Sequence, residues 1–130
     1  GARRALWAGI GAARPGQPVS AVGDAVQDVT DGLGLSVVRD YCGHGVGQDM
    51  HMAPLIHNFR GSADHTLIRP GMVFTVEPIV ALGSGEVQTM ADTWSVRMRD
   101  GRLSAQYEHT VWVAEEGPLV LTASGMDPGP

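Results

Sequence analysis

The run Met72-Val73-Phe74-Thr75-Val76-Glu77-Pro78-Ile79-Val80-Ala81-Leu82 is apolar at nearly every position, with one carboxylate, Glu77, inside it. It follows the turn signal Arg69-Pro70-Gly71 and is rich in β-branched residues, so it reads as one long strand. An ionised carboxylate in such a strand must be paired or bound to a metal, because desolvating it alone is costly. The competing reading is a Glu at a solvent-facing strand end, and pattern alone leaves both open.

Working outward toward the C-terminus, strands are expected over 94–99, 103–114 and 119–121, with turns at Asp100-Gly101 and Glu116-Gly117-Pro118. Toward the N-terminus, 54–70 is loop-like and long enough to suggest a functional loop. Before it, a short strand over 35–38 leads into a glycine-rich turn, Cys42-Gly43-His44-Gly45-Val46-Gly47. Two helices come first. One covers 2–13, with Leu6 and Ile10 on one side, and is broken by Pro15-Gly16. The other has Ser20 as N-cap and an apolar stripe of Val22, Ala25, Val26, Val29 and Leu33, and ends at Gly32 and Gly34. Helices followed by sequence-adjacent strands imply an α+β fold with a mostly antiparallel sheet.

Composition narrows the function classes. Apolar residues make up 43% of the 130, enough for a real core. The net charge is −5, and the nine cationic side chains are all Arg. Arg3-Arg4 is too small a cluster for a phosphate footprint, so neither nucleic acid nor a membrane surface is an expected partner. A single cysteine, Cys42, excludes an internal disulfide and fits a reducing compartment. No apolar run reaches membrane-spanning length, and the first residues lack a signal-peptide layout. The chain begins at Gly1 rather than Met, so it is expected to be a piece of a longer protein.

Two more polar residues break their surroundings as Glu77 does. In Ser104-Ala105-Gln106-Tyr107-Glu108-His109-Thr110, a strand period of two puts Gln106, Glu108 and Thr110 on one face. That is either a metal ligand flanked by supporting donors or an ordinary polar outer face. His44 lies among glycines that allow close backbone approach, and imidazole is a frequent ligand for transition metals. A turn histidine bonded to nearby backbone is the plainer alternative. His51 follows in His51-Met52-Ala53-Pro54, outside any zinc-binding helix pattern. Cys42 as a nucleophile lacks a recognisable orienting partner and reads better as a small buried hydrophobe. Trp94 and Met50 suit either core or pocket wall, and His57, His65 and His109 are read as structural or exposed.

Taken together, three segments resemble the type I (bacterial-type) methionine aminopeptidases. They are 38–47, with Cys42-Gly43-His44-Gly45-Val46-Gly47; 70–78, with Thr75-Val76-Glu77-Pro78; and 104–110, with Gln106-Tyr107-Glu108-His109-Thr110. The first two are shared with prolidase-like relatives, and the third separates the aminopeptidases from them. The resemblance covers 1–124 as the C-terminal half of the catalytic domain and leaves 125–130 as a tail. It implies a pita-bread fold of two helices and a curved, mostly antiparallel sheet around two divalent metal ions: Co, Mn, Fe or Zn. It places His44 and Glu77 on one metal, with Glu108 bridging both. It makes Glu77 also the general base that takes a proton from the bridging water, and His51 the donor to the substrate carbonyl. Met50 and Trp94 then line the methionine pocket, with Cys42 nearby. The implied activity is removal of initiator methionine from the N-termini of nascent polypeptides, close to the ribosome, by a cytoplasmic enzyme that is monomeric when complete.

Some positions depart from that family. Met52 stands where many relatives carry Glu, and His57 and Arg60 are unusual in their loop. The family's aspartate ligands and a further substrate-binding histidine belong to a half that precedes the segments seen here, so the 130 residues alone are expected to be inactive. A prolidase-like peptidase and an inactive pita-bread binding module are the alternatives. The aminopeptidase motif at 104–110 speaks against the first, and the presence of all three ligands expected here speaks against the second.

Overall fold

The computed structural model describes residues 1–125 and 129. Both expected helices form, α1 at Ala2–Ala12 and α2 at Ser20–Gly32. They pack against one another because Gly9 leaves room. A Cβ there would come within 2.9 Å of Val26 and 3.1 Å of Val76. The second helix starts differently from expectation. Val19 is its N-cap and Ser20 is already helical. The preceding chain is held from outside: Val19 N–H donates to Thr66 O at 2.9 Å, and Ile68 N–H donates to Gln17 O at 2.8 Å. At the other end Gly34, at φ 64°, lets Leu35 N–H reach back to Thr30 O at 2.9 Å, a Schellman-type stop.

Among the described residues ten strands follow: β1 (Ser36–Val37), β2 (Gly43–Gly45), β3 (Met52–Ile56), β4 (Val73–Val76), β5 (Ile79–Ala81), β6 (Val87–Thr89), β7 (Val96–Met98), β8 (Ser104–Gln106), β9 (His109–Ala114) and β10 (Gly117–Val120). They make three sheets, ordered β10-β9-β4-β2-β3, β1-β5-β8 and β6-β7, and every pairing is antiparallel. The fold is thus α+β. Leu6, Ile10, Val22, Ile56, Phe74 and Val111 fill the main core between the helices and the large sheet. Among the described residues no helix is long and apolar enough to cross a membrane.

Four further expectations are corrected. The single strand over 72–82 is two strands in different sheets, broken at Glu77-Pro78. Proline has no N–H to continue a ladder. The strand over 103–114 divides likewise at Tyr107-Glu108. The two breaks face each other, since Val76 pairs with His109 on one side and Ile79 with Gln106 on the other. The glycine-rich turn at 42–47 contains a strand, β2, in the interior of the five-stranded sheet. Its glycines serve close approach: a Cβ at Gly43 would strike the Thr75 carbonyl, and one at Gly45 the Ala53 carbonyl. The loop expected over 54–70 begins as β3, and the rest is tied to the helices. Arg60 pairs with Asp28 and Asp31, while its N–H donates to Gln27 Oε1 at 2.8 Å.

Candidate active site

His44 and Glu77 come from adjacent strands of the large sheet and meet at its end, Nε2 to Oε1 at 3.7 Å. Both are well shielded, with side chains 13% and 15% exposed. Gly45 O lies 3.0 Å from Nδ1 and can only accept, so Nδ1 donates to it and Nε2 is the nitrogen turned toward Glu77. That is the arrangement a metal-binding histidine needs.

Thr75 links the two, and sequence reasoning missed it. Its hydroxyl oxygen accepts from His44 N–H at 3.0 Å, and the hydroxyl donates to Glu77 Oε1 at 2.8 Å. Gln106 Nε2 donates to the other oxygen, Oε2, at 3.3 Å. The amide expected beside Glu108 therefore serves Glu77 instead, because the ladder break takes Gln106 and Glu108 out of a common strand. The signal for Thr75 was a lone hydroxyl in an apolar run, two residues before the carboxylate.

Burial pushes the Glu77 carboxyl up from the ordinary glutamate range. The Thr75 hydrogen bond opposes that rise, the negative charge of Glu108 adds to it, and His44 and His51 pull it down. His51 stacks at a tilt on His44, with ring centroids 4.2 Å apart. Glu77 and Glu108 line one cleft of about 520 Å³, together with Gln106, Tyr41, Arg97 and an apolar wall that includes Ile79 and Met98. Two carboxylates and an imidazole beside one cleft suit a divalent cation of the first transition row. Still, among the described residues no three His, Cys, Asp or Glu side chains are disposed as a ready cage, and Glu108 is exposed.

The remaining candidates lie further out. Met50 is 72% and Trp94 88% exposed, and neither lines that cleft. Cys42 is half-buried, its thiol raised by burial and then by Glu77, so it is a poor nucleophile. His109 is buried, with its ring against Trp7 and Nδ1 3.0 Å from Thr122 Oγ1, a structural role. Arg60, bound to the second helix, is not among the cleft residues.

A histidine–carboxylate pair on antiparallel strands, backed by two helices, is what a metallohydrolase of this class requires, and the sequence pattern of metallopeptidase family M24 matches residues 2–115. The chain belongs to that family. Within it the chain is similar to methionine aminopeptidases, at 41% identity over 120 residues to the enzyme of Salmonella typhimurium and 39% to that of Escherichia coli. Each match covers 92% of this chain but 46% of the relative, so the chain spans about half their length. Among solved structures, the methionine aminopeptidase of Thermotoga maritima superposes with a TM-score of 0.89 at 34% identity, covering 94% of this chain and 49% of that one. A dipeptidase from Mycobacterium ulcerans gives 0.68 at 27%, covering 94% and 28%. The fold is accordingly that of the pita-bread peptidases.

Proposed function

We propose that this chain carries the C-terminal part of the active site of a methionine aminopeptidase. The observation that carries the reading is the shielded His44–Glu77 pair, held by Thr75 and Gln106, on a cleft shared with Glu108. The greater likeness to methionine aminopeptidases than to the dipeptidase supports the same choice.

In this reading His44, Glu77 and Glu108 hold metal, with aspartates from a preceding half completing the set. Two divalent cations, when bound, acidify the attacking water and polarise the scissile carbonyl. Glu77 accepts the proton of that water and returns it to the leaving amine. Thr75 and Gln106 fix its two oxygens. His51 donates to the carbonyl oxygen as negative charge develops there. Met50 and Trp94 line the pocket for the methionine side chain, with Cys42 nearby. The substrates are the N-termini of new polypeptides, met near the ribosome in the cytoplasm, and the complete enzyme is a monomer.

The test is made on the metal-loaded protein at its full natural length. Glu77→Gln keeps the shape and removes the base, so kcat on a Met-Ala-Ser peptide should fall about a hundredfold or more with metal still bound. Near-normal turnover excludes the base role, and preference for an X-Pro peptide over Met-Ala-Ser moves the assignment to a prolidase.

A further inference from the structure

The cleft that holds Glu77 and Glu108 is also lined by a cation which the proposed reaction leaves unused. Arg97 is the one cation among the described residues lining it. On the β6-β7 hairpin it stands directly opposite Gln88. With the Gln88 amide turned so that its oxygen faces the guanidinium, Arg97 Nε and Nη2 both donate to it, at 2.6 and 2.8 Å. A neutral acceptor gripping two nitrogens fixes the plane of the guanidinium without cancelling its charge.

Among the described residues the ion pairs are His44 with Glu77 and Arg60 with Asp28 and Asp31, so Arg97 has no carboxylate partner. The cleft thus carries two carboxylates and a guanidinium held by a neutral amide, with Ile79, Val87, Val96 and Met98 among its apolar lining. The end-on edge of Arg97, Nη1 with the second Nη2 hydrogen, is the edge that grips a carboxylate with two hydrogen bonds.

We propose that Arg97 is a specificity residue that receives a carboxylate of the substrate downstream of its first residue, either an acidic side chain or the C-terminus of a short peptide. This rests on the aminopeptidase reading above. Attraction between the free guanidinium and such a group lowers KM and leaves the chemical step alone, because the carboxylate is bound equally in ground and transition states.

Three substrates test it on the metal-loaded, full-length protein: Met-Ala-Gln-Gly amide, Met-Ala-Glu-Gly amide, and Met-Ala-Gln-Gly with a free C-terminus. The acid-bearing peptides should show KM about fivefold below the neutral amide with similar kcat, the scale of one partly exposed charge-assisted pair. Whichever of the two gains identifies the source of the carboxylate. Arg97→Gln should bring the KM ratio to about one, whereas Arg97→Lys, which keeps the charge, should retain a ratio above one. Calorimetric binding of the product peptides Ala-Glu-Gly amide, Ala-Gln-Gly amide and Ala-Gln-Gly with a free C-terminus reads the same preference without turnover. No hydrolysis of any methionyl peptide sinks the aminopeptidase reading alone. Equal KM values and equal affinities for the acidic and neutral peptides, or a ratio that survives Arg97→Gln, overturn the assignment of Arg97.

Discussion

One hydroxyl joins the two residues on which the site depends. Thr75 accepts from the His44 backbone and donates to Glu77, so strand spacing and carboxylate orientation are set by the same atom. Thr75→Val preserves shape and strand propensity while removing both bonds. Metal affinity should then fall about 10- to 100-fold, the usual cost of losing support behind a ligand, with little change in fold. Metal titration followed by circular dichroism checks it, and unchanged affinity means Thr75 is only a core residue. His51 gives a contrasting prediction. It touches His44 through its ring, and the proposed reaction has it donate to the substrate carbonyl rather than to metal. His51→Ala should therefore lower kcat about a hundredfold while metal content stays normal. Loss of metal instead would make it a ligand. At this scale Glu77, Glu108 and His44 were legible because each breaks the pattern around it. Thr75 and Arg97 were not, since a threonine in a strand and an arginine in a hairpin break no pattern.

Between strands, the chain solves a placement problem by breaking twice. Glu77-Pro78 and Tyr107-Glu108 are opposed gaps where the ladder passes from the five-stranded to the three-stranded sheet. Each gap carries a carboxylate, freed from the alternation that would fix its face. The sequence showed the strands but ran them together, because apolar residues continue across both breaks. Pro78 was the readable sign of the first, and nothing comparable marks the second. The strand at Gly43–Gly45 was missed for the opposite reason, since three glycines in six residues look like a turn. They are needed because β2 is sandwiched between β3 and β4. Gly43→Ala must push the Thr75 carbonyl aside, and the neighbour is backbone and cannot rotate away. We expect a loss of about 3 kcal/mol, at the upper end of overpacking costs, together with weakened metal binding. A shift in the urea midpoint measures it, and a midpoint within error of the parent would show that the strands have slack.

Over the whole molecule, the site has donors but no closed cage. Three proposed ligands share one region, yet no three acidic or imidazole groups among the described residues form a cluster, and Leu82, Trp94 and Leu103 lie more than half exposed. From this we predict that the 130 residues alone, given excess Co or Mn, hydrolyse Met-Ala-Ser at least about a hundredfold more slowly than a full-length relative. Exposed apolar surface and the open edge of β8 should also make them associate in solution. Sedimentation and a peptide assay check both. Turnover near that of a full-length relative, abolished by Glu108→Ala, would show that the site assembles without further ligands.

By itself the sequence determined the class of the fold, its two leading helices and the identity of the candidate ligands. These follow from local properties: apolar period, turn chemistry, and the cost of leaving a charge among apolar neighbours. Only the tertiary structure decided which strands share a sheet, that Gln106 serves Glu77 rather than Glu108, that the long loop is fastened to the second helix, and that Arg97 faces the acidic cleft. Each of those depends on segments far apart in the chain. The energy that fixes them, a hydrogen bond or a close backbone contact, exists only once both partners are in place and leaves no trace in the local pattern of either.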